Sequence, residues 1–194
     1  VAQDDPLATR LQQLIAADAH RLPLLQAVRS LALPDAWIGA GCVRNAVWDA
    51  LHGRPATAPH SDIDVIWFDP AACSPEKDLA LEAQLTMACP GPQWSVRNQA
   101  RMHLRNGDAP YTCATDALRY WPETATAVAV RLTREDRIEI AAPLGLQDLW
   151  QGLLRPAGAF ATDKQAQFAA RVHGRGWLVR WPQLQVVAAQ DAIE

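Results

Sequence analysis

The stretch Ser61-Asp62-Ile63-Asp64-Val65-Ile66-Trp67-Phe68-Asp69 reads as a strand, because it is β-branched and aromatic and Pro70 closes it. Side chains alternate along a strand, so Asp62 and Asp64 share one face. Two carboxylates so placed repel one another and interrupt an otherwise apolar surface, an arrangement that a hard divalent cation such as Mg²⁺ relieves. A strand that simply begins at a solvated edge is the alternative reading. Upstream, Ala36-Trp37-Ile38 runs into Gly39-Ala40-Gly41, and Val43, Val47, Trp48 and Leu51 follow at helical spacing. This predicts strand, tight glycine turn and helix. Backbone N–H groups at such a helix start hold phosphate, and glycine permits close approach. Arg44 occupies the sixth position of the turn, where a dinucleotide fingerprint needs Gly or Ala, so that motif is excluded.

Working outward, Asp5 before Pro6 is a helix start, with Leu7, Leu11, Leu14 and Ile15 at helical spacing, and a second helix runs from Pro23 to Pro34. His52-Gly53-Arg54-Pro55 stops the helix after the glycine turn, and residues 56–60 form a loop. Glu76 to Met87 is helical by pattern, Trp94 to Arg97 a short strand, and Asn98 to His103 either its continuation or a helix. Ala127 to Leu132 and Arg137 to Ala141 read as strands joined by the turn Thr133-Arg134-Glu135-Asp136. Beyond Pro143 the chain reads as mostly helical, including Leu146 to Leu154 and Lys164 to Val172. No linker or repeat divides it, so the expectation is one α/β (α+β) domain over residues 1–194. Its core spans about 36–155, with helical extensions at both ends.

The length of 194 residues and the 49% hydrophobic content suffice for a buried core, and the net charge of −3 argues against a protein that coats nucleic acid. No apolar run of membrane-spanning length occurs, and VAQDDPLATR lacks the order of a secretory signal, so a cytoplasmic protein is expected. The chain begins with Val. Four cysteines at wide intervals, without CxxC spacing, are expected to be free thiols. Nearly all basic residues are Arg, Lys77 and Lys164 being the only lysines, and eight Trp outnumber three Phe and two Tyr. The arginine excess fits phosphate recognition or a compositional bias of the genome equally well. No nucleophile elbow, Walker A motif or His-Glu-x-x-His helix is present.

A glycine turn followed by a strand bearing Asp-x-Asp sets a phosphate cradle beside a carboxylate pair, as nucleotidyl transfer requires. Gly39-Ala40-Gly41, Arg44-Asn45 and Ser61-Asp62-Ile63-Asp64 resemble the signature of the DNA polymerase beta-like nucleotidyltransferase superfamily. Gly41-Cys42-Val43-Arg44-Asn45 and Gly53-Arg54-Pro55 also resemble the head domain of tRNA CCA-adding enzymes and poly(A) polymerases. The blocks at 94–103, 121–128 and 142–149 resemble those of a bacterial family of small nucleotidyltransferase-like proteins, a likeness running from about Trp37 to about Trp181. It implies a small mixed sheet flanked by helices, and transfer of a nucleoside monophosphate from an NTP to a hydroxyl with two Mg²⁺ ions. Asp62 and Asp64 would be catalytic and would bind metal. Gly39, Ala40, Gly41, Arg44, Asn45 and Ser61 would contact the nucleotide. The superfamily usually has Gly-Gly or Gly-Ser in this turn, a departure that leaves phosphate recognition to backbone donors.

The superfamily also uses a third carboxylate on a neighbouring strand. Glu139, flanked by Ile138 and Ile140, is the choice; an outward residue on a half-exposed strand is the alternative, and Asp116 and Asp69 are weaker substitutes. Arg97, Asn98 and Arg101, with His103, would line the nucleotide or acceptor cleft, unless they are solvated surface. Trp177 and Trp181, near Arg175 and Arg180, would stack on a base or serve as core. An acidic chain this short points to a small molecule or a protein side chain as acceptor, rather than RNA. A catalytically inactive nucleotide- or partner-binding module, regulatory or antitoxin-like, is the alternative function.

Overall fold

Asp5 caps the first helix as its place before Pro6 demands: its Oδ1 accepts from the Leu7 amide at 2.9 Å. In the computed structural model, which describes residues 5–187, the chain then runs α1 (Pro6–Ala16), α2 (Leu22–Ser30), β1 (Trp37–Gly39), α3 (Gly41–Leu51), β2 (Ile63–Trp67), α4 (Pro75–Ala88), β3 (Trp94–Asn98) and α5 (Gln99–Asn106). A short 3₁₀ helix at Asp116–Tyr120 precedes β4 (Ala129–Leu132), β5 (Ile138–Ala141), α6 (Gln147–Gln151), β6 (Leu153–Leu154), α7 (Gln165–Gly174), α8 (Trp177–Arg180) and β7 (Gln185–Val186). The strand through Trp94 ends where the Asn98 side chain caps α5, accepting from the Ala100 amide at 3.0 Å. The expected helix over Leu146–Leu154 is shorter: Gly152 takes a left-handed φ of 69°, and Leu153–Leu154 instead pairs in parallel with Gln185–Val186.

The main sheet has the order β3-β2-β1-β4-β5, and the mixed sheet flanked by helices agrees with the expected class. Within this sheet β2 and β3 are the parallel pair, and α4 supplies the crossover such a pair requires. Paired residues share a face, so Ile38, Val65, Val96 and Val130 point together into the main apolar core, where Leu11, Ile15, Leu24, Val28, Val43, Val47, Leu81 and Leu85 of α1–α4 cover them. Phe168, Val172, Trp177 and Trp181 join the same cluster, so helices outside residues 36–155 share this core. Trp37, Ile66, Ala129 and Ala141 face the other side beneath Leu118. Asp64 lies on this second face.

The corner between α1 and α2 is pinned by charge. Asp18 and Arg21 are both about 97% buried and bonded at 2.5 Å. The Asp18 carboxylate also accepts from the His20 and Arg21 amides, and the Arg21 guanidinium reaches out to Cys42 O at 2.7 Å and Thr57 O at 3.1 Å. It thereby ties the first helices to the start of α3 and to the loop that leads into Asp62.

Candidate active site

Asp64 stands on β2 and Asp62 two residues before it, so both reach one pocket of about 410 Å³, together with Ala40, Gly41, Arg44, Asn45 and Ser61. Continuing the antiparallel register of β1 with β2 by one step sets Gly39 beside Asp64. Gly39 does not line the pocket. A Cβ on it would lie 2.9 Å from the Trp121 ring and 3.3 Å from Val128 O, so its bareness makes room for the indole. Gly41 serves the pocket more directly, since a Cβ there would come within 2.7 Å of Ser61 Oγ.

Between them Ala40 adopts φ 51° and ψ −127°, a conformation natural to glycine and strained for any residue with a Cβ. No side chain caps α3 at this position, so its first amides are left to whatever occupies the pocket. Ala40→Gly is expected to stabilise the protein by about 1 kcal/mol, the relieved strain exceeding the added chain entropy, read as a higher urea midpoint at unchanged slope.

Burial, then the neighbouring Asp62, pushes the Asp64 carboxyl up to about 6, while Arg44, Arg171 and Arg175 pull it back. Arg44 is buried between two indoles, its guanidinium 4.3 Å from the Trp177 ring and 4.7 Å from Trp48. It donates to Thr126 Oγ1 at 3.0 Å and to Asn45 Oδ1 at 3.0 and 3.2 Å. No carboxylate among the described residues lies within 4 Å of it. Burial pushes this guanidinium down to about 9, with Glu123 opposing. A buried cation without a paired anion, beside two crowded carboxylates, suits a ligand that brings anionic oxygens together with a cation.

Residues 26–186 match a protein family described as nucleotidyltransferase. The chain belongs to that nucleotidyltransferase family. A solved structure described as a CCA-adding enzyme head domain superposes with a TM-score of 0.82 at 33% identity, over 93% of this chain and 95% of that one. The Thermotoga maritima CCA-adding enzyme in complex with tRNA (TM-score 0.56, 15% identity) and a CCA-adding enzyme with CTP (0.57, 14%) share the fold. This chain spans 43% and 44% of their lengths. A bifunctional uridylyltransferase/uridylyl-removing enzyme of Cereibacter sphaeroides is 28% identical over 127 residues, 64% of this chain and 12% of that protein.

Glu139 lies on a strand as expected, but not beside the aspartates. Glu139 pairs with Arg131 across β4 and β5, bonded at 2.6 Å, and lines a separate cavity of about 660 Å³ with Arg131, Trp37 and residues of α2. The row of the sheet that contains Asp64 continues through Gly39, Ala129 and Ala141, with no acid. Asp116 is held by Thr112 and faces Arg119, and Asp69 is bonded to the Ala71 amide; neither lines the pocket.

Arg97, Asn98 and Arg101 are likewise outside the pocket, occupied in joining β3 and α5 to α4. Arg97 bonds Glu82 at 2.5 Å, Arg101 bonds the buried Asp78, and the Asn98 amide donates to Ala72 O at 2.9 Å and to Asp69 O at 2.8 Å. Trp177 and Trp181 do line the pocket but are 96% and 98% buried, so neither offers a free face to a base. Trp181 donates to Asp49 Oδ1 at 2.8 Å. The four cysteines are free.

Arg171, Thr126, His60 and Trp121 also line the pocket, and no local sequence pattern points to them. Arg171 and Arg175 stand four apart on one helical segment, a spacing visible in the sequence. What it lacked was any sign of which surface that helix would face. Among the described residues no helix is long and apolar enough to cross a membrane, and no group of three or more His, Cys, Asp and Glu is placed to hold a metal.

Proposed function

We propose that the protein moves a nucleoside monophosphate from an NTP to a hydroxyl acceptor, with Mg²⁺ held by Asp62 and Asp64. The observation that carries this reading is the pairing, in one pocket, of two mutually repelling carboxylates with the buried, anion-free guanidinium of Arg44. Two aspartates are a hard oxygen donor set, and Mg²⁺ typically completes its shell with substrate phosphates and water, so a two-carboxylate site fits it without a third protein acid. When bound, the metal supplies charge neutralisation at the phosphates and a Lewis acid toward the reacting oxygens. Arg44 braces the phosphates, the α3 amides after Ala40 donate to them, and Asn45 fixes the plane of the guanidinium. The acceptor hydroxyl would give up its proton to solvent as its oxygen bonds to the α-phosphorus and the bond from that phosphorus to the bridging oxygen breaks, and pyrophosphate would leave against the positive wall.

The acceptor in this reading is a small molecule or a protein side chain. Incubation with α-labelled NTPs and Mg²⁺, offering lysate fractions and tRNA in parallel, identifies it by what becomes labelled. Labelling is expected with wild-type protein and absent with Asp62→Ala; undiminished turnover by Asp62→Ala would sink the mechanism. The strained Ala40 and the acid-free row beside Asp64 favour a second reading, a silent nucleotide-binding module on the same scaffold. That reading expects NTP binding that Mg²⁺ does not strengthen and no labelled product in any fraction.

A further inference from the structure

The pocket has more positive charge than the carboxylate pair needs. Arg171, Arg175 and Arg180 reach it from α7, α8 and the turn between them, joining Arg44, whereas Asp62 and Asp64 are the acids of its lining. These like charges are held together by built contacts. Trp177 lies 4.3 Å from the Arg44 guanidinium and 5.3 Å from that of Arg171. Glu123, fully buried, accepts from Arg171 Nε at 2.7 Å, and its other carboxylate oxygen has no partner. Arg180 lies 4.7 Å over the Trp181 ring. Among the described residues, neither Arg175 nor Arg180 has a carboxylate within 4 Å.

We propose that Arg44, Arg171, Arg175 and Arg180 form a polyphosphate clamp that grips the triphosphate of the nucleotide even without metal, with Glu123 as the positioning residue that aims Arg171. The identity of the polyphosphate as an NTP rests on the transfer reading above; the clamp itself rests on the arginines. Two aspartates facing a triphosphate would repel it in the absence of a cation, and the four guanidiniums outnumber them even with Glu123 set against Arg171. Guanidinium forks match phosphate oxygens in pairs, which a lone ammonium does not. The C-terminal helices are in this view part of the substrate site, and the metal is required for reaction rather than for capture.

The test is calorimetry in EDTA with two probes, inorganic tripolyphosphate and ATP, on wild-type protein, Asp62→Ala and the Arg175→Ala/Arg180→Ala double variant. Wild type is expected to bind both probes in EDTA, Asp62→Ala at least as well, and the double variant about tenfold or more weakly, with an unchanged melting temperature because both side chains sit at the pocket rim. Absence of binding by wild type in EDTA, or undiminished binding by the double variant, would overturn the clamp. The two proposals fail separately. Tripolyphosphate binding without labelled product in any fraction condemns the transfer reading alone. Transfer by the double variant with an unchanged KM condemns the clamp alone. Glu123→Gln, which keeps an acceptor for Arg171 but drops the charge, is expected to raise KM for NTP more than it lowers kcat; a fall in kcat at constant KM would contradict its positioning role.

Discussion

Replacing Asp64 by asparagine is expected to end transfer and at the same time make the protein harder to unfold. Burial and Asp62 together push the Asp64 carboxyl up to about 6 in the folded chain, whereas an aspartate in an unfolded chain titrates near 3.9. Between those values the folded protein holds a proton that the unfolded chain has lost. Its contribution to stability is therefore complete below about pH 4 and lost as pH rises through 6, leaving a penalty of roughly 2 to 3 kcal/mol at neutral pH. An amide has the same shape and no charge. In urea melts in EDTA, Asp64→Asn should exceed wild type by about 2 kcal/mol at pH 7.5, with the gap closing at pH 4. Mg²⁺ should raise the wild-type midpoint and leave the variant unmoved, because the variant has lost one of the two charges that attract it. A variant less stable than wild type at pH 7.5 would contradict the electrostatic description of the pocket.

Arg21→Ala is expected to be the most destabilising single change among the charged residues. Its guanidinium is buried against Asp18 at 2.5 Å and donates to two main-chain carbonyls, Cys42 O and Thr57 O. Truncation leaves a buried carboxylate without its counter-ion and takes one donor from each of two carbonyls, a loss of about 3 to 5 kcal/mol. Denaturant unfolding followed by tryptophan fluorescence reads the loss. The same two carbonyls flank the pocket, one on α3 just after the glycine turn and one on the loop before Ser61, so residual folded protein should also bind NTP poorly. Asp18→Asn should cost less, because Arg21, though it loses its counter-ion, keeps its bonds to Cys42 O and Thr57 O, and the amide oxygen still accepts from the His20 and Arg21 amides.

The aspartate pair and the glycine turn were legible because each is a local pattern: strand alternation fixes a face, and a turn before a helix fixes where amides are free. Glu139 shows where such reasoning stops. Strand alternation sets Glu139 apart from Ile138 and Ile140, and pairing puts it on the same face of the sheet as Asp64. Pairing register decides the row, however: Arg131 opposite Glu139 belongs to the row of Trp37 and Ile66, one step along from that of Asp64, and Glu139 itself stands on the edge strand β5, away from the pocket. Arg97 and Arg101 fail for a different reason. Long side chains reach whichever acid packs nearby, and Glu82 and Asp78 come from α4, a helix whose position over β3 is set by the parallel crossover. Arg171 was hidden by distance along the chain, since Glu123 lies 48 residues away. Trp177 and Trp181 were visible as aromatics beside arginines, but only packing shows that their faces are already taken by Trp48 and the guanidiniums.

The first helix closes the open side of the sheet. α1 packs along β5, and Gln12 donates from Nε2 to Ile138 O at 3.0 Å, satisfying a carbonyl of the last strand. A fragment trimmed to the strand-rich middle, residues 36–155, would bare that strand as a sticky border able to recruit another molecule's backbone. Such a miniature should accumulate as inclusion bodies or fibrils, and a soluble reduced scaffold would have to keep α1 or put a charged or proline-bearing substitute along β5.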